Sequence, residues 1–266
     1  MTSKINKRVF LLSAPCIFVF FLFSAVSLFS FDGNVEKPNA EKTLEILKAG
    51  NKRFAEEASI HPDADKKRLH LAATENQGKY AYATVLACSD SRVPVELIFD
   101  AGIMDIFVIR VPGNVCNTDE IGSIEYGICH VKTPVLVILG HTRCGAITAV
   151  AESLKGHGHP LERNIPPLIL PIVPAVKSII GAHPDFNVEK LVPLCVEANI
   201  WQGMEDLFMK SPAVRELAKS GKVKVFGAVY ELETGKVKWL PESKTLDILK
   251  KVEADPKKET QPLTED

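Results

Sequence analysis

Five residues in two short segments carry the groups most able to do chemistry. Cys88-Ser89-Asp90-Ser91-Arg92 offers a thiol, a carboxylate and a guanidinium at alternate positions, and Gly140-His141-Thr142-Arg143-Cys144-Gly145 offers an imidazole and a second thiol three residues apart. Two thiolates and an imidazole are the soft and borderline ligands that suit zinc in a tetrahedral site. Three protein ligands leave a fourth position open, as in catalytic sites, and neither segment holds another cysteine or histidine to close the shell. His141 and Cys144 can share one face of a turn, so Cys88 must arrive from a different element. If 88–92 is extended, Cys88, Asp90 and Arg92 project to the same side. Asp90 would then accept a hydrogen bond from a metal-bound water or ligate the metal itself, with Arg92 holding it ionised through a bidentate contact. Zinc makes a bound water acidic enough to serve as a nucleophile at neutral pH. Two plainer readings, a pair of buried thiols or a disulfide for Cys88 and Cys144 and a structural ion pair for Asp90 and Arg92, each explain fewer of the five residues.

These segments need elements to bring them together. Apolar runs over 82–87, 106–109 and 135–139 are of strand length and nearly uniformly apolar, as in strands covered on both faces. Helical patterns follow over 119–130, opened by Thr118 as N-cap, and over 144–154, with later ones over 188–209 and 246–252. Strand-like runs over 223–230 and 237–240 flank Thr234-Gly235. An amphipathic helix over 41–58, with Leu44, Leu47, Phe54 and Ala58 on its apolar face, makes an N-terminal helical arm. The expected class is therefore α/β, a mainly parallel β-sheet flanked by α-helices, in which both motifs follow strands and meet at the strands' carboxyl ends. Gly156-His157-Gly158-His159-Pro160 and the cluster Pro166, Pro167, Pro171 and Pro174 read as a loop leading into irregular helix.

The ends have their own character. Lys4, Lys7 and Arg8 precede an uncharged stretch over 9–31, the layout of an export signal with a cleavage site after Ser27; the run is also long enough to span a bilayer uncleaved. Pro15 before Cys16 does not suit lipidation there. The segments are then 1–31 as signal peptide or membrane anchor, a domain over 32–252, and a disordered polar tail over 253–266. Lys and Arg total 32 against 33 Asp and Glu, which leaves no excess charge to concentrate on a nucleic acid or an anionic membrane. Membrane contact is confined to the N-terminal segment, if retained, and the expected location is periplasmic or otherwise extracytoplasmic.

The two motifs, each after a buried strand, resemble the signature of the beta-class carbonic anhydrases, and Ala49-Gly50-Asn51-Lys52-Arg53-Phe54, Phe107-Val108-Ile109-Arg110-Val111-Pro112-Gly113-Asn114 and Gly122-Ser123-Ile124-Glu125-Tyr126 are similar to further family segments in family order. The likeness runs from about Glu41 to Tyr230. It implies one zinc ion per chain on Cys88, His141 and Cys144, a catalytic dyad of Asp90 and Arg92, and zinc hydroxide attacking carbon dioxide to give bicarbonate and a proton. It implies a narrow pocket lined by Phe107, Tyr126 and Gly145, and a homodimer or higher even homo-oligomer with its active site at the dimer interface. Many relatives have a glutamine and a proline before the first strand where this chain has Lys79 and Ala81, although Gln77 offers an amide at a shifted register; this departure bears on bicarbonate binding. Relatives inhibited by bicarbonate have a tryptophan where this chain has Val85, so no such inhibitory site is expected.

Two other functions fit the same motifs: a hydrolase of carbon disulfide or carbonyl sulfide on the same fold, and a zinc-binding relative without activity. All five key residues are present, which counts against the second. Cys116, Cys129 and Cys195 read as buried filler, with a disulfide between two of them as the alternative, and His157 and His159 read as solvated loop.

Overall fold

The computed structural model describes residues 37–260, so the export segment over 1–31 lies outside the described residues. The chain forms a five-stranded sheet in the order β2-β1-β3-β4-β5, with β1 Ala83–Ala87, β2 Ile106–Arg110, β3 Val135–His141, β4 Lys224–Tyr230 and β5 Val237–Trp239. The first four strands are parallel and β5 runs antiparallel to β4. Successive side chains point to opposite faces, and because both faces are covered the central strands β1 and β3 are almost wholly apolar. Along β3, Val135, Val137 and Leu139 enter one core with Val85, Phe226 and Tyr230, while Leu136 and Ile138 enter the other with Leu86, Val225 and Val229.

Helices cover both faces: α1 Ala40–Ala55, α2 Lys66–Thr74, α3 Val95–Ile98, α4 Thr118–Glu125, α5 Gly145–Leu154, α6 Ile165–Ile169, α7 Val173–Ala182, α8 Val188–Lys210, α9 Pro212–Lys219 and α10 Glu242–Ala254. The expected mainly parallel α/β fold with an N-terminal helical arm is what the structure shows. α8 is the central strut, burying Leu191, Cys195, Ile200, Met204 and Leu207 against the sheet and its neighbouring helices.

Local chemistry corrects several expectations. The cap of α4 is Asn117, one residue before Thr118, because Asn117 and Glu120 close a reciprocal capping box. The proline cluster builds short helices, with Pro166, Pro171 and Pro174 each in a first turn, where a missing N–H costs nothing. Ile165–Ala182 is long and apolar enough to cross a membrane by length and composition, and within it Ile169, Ile172, Ala175 and Val176 are buried in the protein. Of the segment 253–266 expected as a disordered tail, 261–266 lies outside the described residues, and 253–260 is packed on the protein. Glu253 pairs with Arg215 at 2.9 Å and Lys219 at 3.1 Å, and the Glu259 N–H donates to the Met209 carbonyl, so the chain stays docked through this stretch.

The arm is seated by Gly50 and Asn51. Asn51 donates to the carbonyls of Ile98 (3.1 Å) and Gly235 (2.9 Å) and accepts from the Val237 N–H (2.8 Å), tying α1 to α3 and to the β4–β5 hairpin. A Cβ on Gly50 would stand 1.8 Å from the Phe99 carbonyl oxygen, a backbone atom that cannot swing away. Gly50→Ala is therefore expected to destabilise the fold by about 3 kcal/mol, read as a lower urea midpoint at unchanged slope; an unchanged midpoint would show that α1 is not packed this closely.

Candidate metal centre

The strand register assembles the centre. Ala87 lies opposite Leu139 in β3 and opposite Arg110 in β2, so Cys88, one residue further, falls beside Gly140 and next to His141. This is where the strand order reverses, with β2 on one side of β1 and β3 on the other, and the crevice outside such a switch point is the usual ligand site of open α/β sheets. The chain then turns at Thr142 and Arg143, with Arg143 in the left-handed region at φ 55°, and returns Cys144 to the N-terminus of α5.

Cys88, His141 and Cys144 are buried, and one ligand atom from each lies within 4.8 Å of the others. The two sulfurs are 4.0 Å apart. His141 has Nδ1 3.0 Å from the Thr142 carbonyl, which assigns the proton to Nδ1 and leaves the lone pair on Nε2. That Nε2 is buried without a hydrogen-bond partner among the described residues. The Cys88 thiol is held well below its ordinary range, first by the hydrogen bond from Cys144 and further by the backbone N–H groups of Gly113 and Asp90, against the opposing effect of burial. Cys144 is driven the other way by the same partner and by burial. Two thiolates cannot share this space without a cation between them, and an orphaned imidazole nitrogen points at the same place. The donor set fits a zinc ion.

Asp90 and Arg92 meet in bidentate geometry, Nε to Oδ1 at 2.9 Å and Nη2 to Oδ2 at 2.7 Å, and the Arg92 N–H also donates to Oδ1 at 3.0 Å. Arg92 holds the Asp90 carboxyl well below the usual carboxylate range, through its side-chain bonds and its own backbone N–H. The pair is not presented by an extended segment. The chain turns at Ser91 and Arg92, the Val93 N–H donates to the Asp90 carbonyl at 3.0 Å, and it is this turn that folds the guanidinium back onto its own carboxylate. Asp90 Oδ2 stands 3.9 Å from His141 Nε2, beside the ligand group. Arg92 also donates to the Arg143 carbonyl at 3.1 Å, tying the two motif loops together.

Three contributors escaped the sequence reading. Arg110 at the end of β2 donates to the Cys88 carbonyl (3.1 Å) and the Asp90 carbonyl (2.6 Å), clamping the first loop. The Gly113 N–H donates to Cys88 Sγ at 3.3 Å, and the Thr142 hydroxyl accepts from the Leu232 N–H at 3.0 Å. Only the register could reveal Arg110 and Gly113.

The expected pocket residues separate. Gly145 follows Cys144 directly, and a Cβ there would meet nothing within 4 Å. Phe107 lies level with Thr84, four residues before Cys88 and roughly 13 Å down the strand direction. It packs on Tyr126 at 5.9 Å between ring centroids, and Tyr126 stacks on His130 at 5.4 Å. Phe107 packs against the same core face as Leu136 and Ile138, and Tyr126 above it is 51% exposed. Lys79 pairs with Glu75 on the surface, Ala81 is buried, and Val85 is core. Cys116 and Cys195 are buried and, with Cys129, unbonded; His157 and His159 sit in an exposed loop.

A doubly wound α/β sheet with two thiols, an imidazole and a carboxylate–guanidinium pair at its switch point defines a protein able to hold a metal ion at an open catalytic position. The carbonic anhydrase family model matches residues 83–237. The carbonic anhydrase of Mycolicibacterium smegmatis is 31% identical over 206 residues, covering 75% of this chain and 92% of that protein. Carbonic anhydrase 2 of Mycobacterium tuberculosis is 30% identical over 201 residues, 74% of this chain and 91% of that protein. The crystal structure of the beta-carbonic anhydrase CafA of Aspergillus fumigatus superposes with a TM-score of 0.60 at 25% identity, covering 78% of this chain and 97% of that one. The chain belongs to the carbonic anhydrase family, in its beta class.

Proposed function

We propose that this chain catalyses the reversible hydration of carbon dioxide to bicarbonate and a proton, with one zinc ion held by Cys88, His141 and Cys144. The observation that carries it is the buried cluster of three ligand atoms with an unpartnered His141 Nε2. When bound, zinc supplies a Lewis acid that brings the ionisation of a coordinated water near neutrality, an effect known from carbonic anhydrases generally rather than derived from this chain. Asp90, kept ionised by Arg92 and 3.9 Å from His141 Nε2, accepts a hydrogen bond from an entering water and orients it. Thr142 holds the imidazole tautomer, and the open space at Gly145 leaves room for a triatomic substrate. Side-by-side assays of carbon dioxide hydration and carbon disulfide hydrolysis test the substrate: hydration is expected to dominate, and efficient carbon disulfide turnover without hydration would reassign it.

The working form is a homodimer or a higher even assembly. β2 is an edge strand with Ile106, Phe107 and Val108 only partly covered and Tyr126 exposed beside them, a combination that favours pairing with a second copy. In that arrangement Phe107 and Tyr126 wall the neighbouring copy's substrate pocket, which their distance from the same chain's ligands otherwise leaves without explanation. Tyr126→Asp is expected to give monomers by sedimentation and to lower kcat/KM by about tenfold or more through loss of site geometry. A dimer of full activity would contradict this assembly. Residues 1–31 direct export, so activity is expected in the extracytoplasmic fraction and activity confined to the cytoplasm would contradict it.

A further inference from the structure

α8 places Asn199 in the core, 3% exposed, and its Nδ2 donates to the Gly113 carbonyl at 2.8 Å. Gly113 lies in the turn Pro112–Asn114 with φ 71° and ψ 15°, a conformation that favours glycine, and a Cβ there would stand 2.5 Å from Ile172 Cδ1. Its N–H is the group that donates to Cys88 Sγ at 3.3 Å. The peptides on either side of one glycine therefore have separate jobs, the preceding one facing the metal ligand and the following one gripped by α8. Glycine's two dihedrals are otherwise free, so without the Asn199 bond the peptide that follows Gly113 can rotate and carry the Gly113 N–H off the Cys88 sulfur, and the bond restricts that movement. The turn's other anchor is the Asn114 N–H to the Val111 carbonyl at 3.0 Å; the Asn114 side chain, fully buried, has neither polar atom partnered among the described residues.

We infer that Asn199 is a positioning residue of the metal centre, acting through Gly113 to aim an N–H at the Cys88 sulfur. The inference rests on the zinc site proposed above. Groups beyond the ligands that orient them contribute to metal affinity as well as to rate. A purely structural asparagine, present only to satisfy a buried carbonyl, would contribute to stability alone.

The test compares wild type, Asn199→Ala and Leu207→Ala, the last removing a buried side chain about two turns further along α8, away from the centre. Zinc affinity is read by chelator competition on folded protein, the cobalt-substituted forms by their thiolate-to-cobalt charge-transfer band, and stability by thermal melting. Asn199→Ala is expected to bind zinc about tenfold more weakly, with a displaced charge-transfer band. Leu207→Ala should melt lower yet keep wild-type affinity and band. Should Asn199→Ala fail to fold, Asn199→Leu keeps a similar shape but has no proton to donate, and the same losses are expected. Wild-type affinity and an unchanged band in a folded Asn199 variant would overturn the inference. A wild-type protein with no thiolate–cobalt band would overturn the metal centre itself, a separate outcome.

Discussion

Cys144→Ser should leave a folded protein that holds no stoichiometric zinc and hydrates carbon dioxide at least about a thousandfold more slowly, because the activated water that drives the reaction depends on the metal. Cys144 sits fully buried where α5 begins, its sulfur 4.0 Å from that of Cys88. A serine hydroxyl there does not ionise at neutral pH, so the ion would lose a thiolate and face only one thiolate and one imidazole. The change is nearly isosteric and Cys144 is a packing residue of only modest size, so the melting temperature of the metal-free variant should stay close to that of metal-free wild type. Zinc analysis and stopped-flow hydration on the same sample check it. Full zinc content with full activity would mean that the centre is not built on Cys144.

Asp90→Asn should behave differently: zinc retained, hydration reduced by about a hundredfold, the scale of losing a positioned proton-handling group. The amide cannot accept both guanidinium bonds of Arg92, and its NH2 group would face donors at Arg92. The Arg92 contact to the Arg143 carbonyl survives, so the two loops should stay joined. A variant that loses its zinc along with its activity would identify Asp90 as a ligand, and one that keeps full activity would remove the dyad from the mechanism.

Much of this molecule is written in local sequence, and what is hidden depends on register. The parallel strands are legible because both faces are buried, so each carries a largely apolar run such as residues 135–139 of β3. The trio able to hold a metal, Cys88, His141 and Cys144, is legible because its residue types are chemically rare together and each motif directly follows such a run. The route of 88–92 is not, since alternation implies an extended strand whereas the turn at Ser91 and Arg92 brings the same side chains together another way. Pro166, Pro171 and Pro174 suggest breaks, yet each occupies a first turn where proline is tolerated. The docking of residues near Glu259 escapes composition because it rests on backbone bonds to Met209 and Arg215 rather than on apolar side chains. Arg110, Gly113 and Asn199 lie 22, 25 and 111 positions from Cys88, and only the pairing of β1 with β2 and the packing of α8 show that they converge on it.

The most direct test of the central claim is zinc content measured beside stopped-flow carbon dioxide hydration from pH 6 to 9, before and after chelation and on restoring zinc. About one zinc per chain is expected, with hydration rising through neutral pH as the reactive water loses its proton, vanishing on chelation and returning with the metal. A chain that binds no zinc, or that holds zinc at Cys88, His141 and Cys144 without hydrating carbon dioxide at any pH, would contradict it.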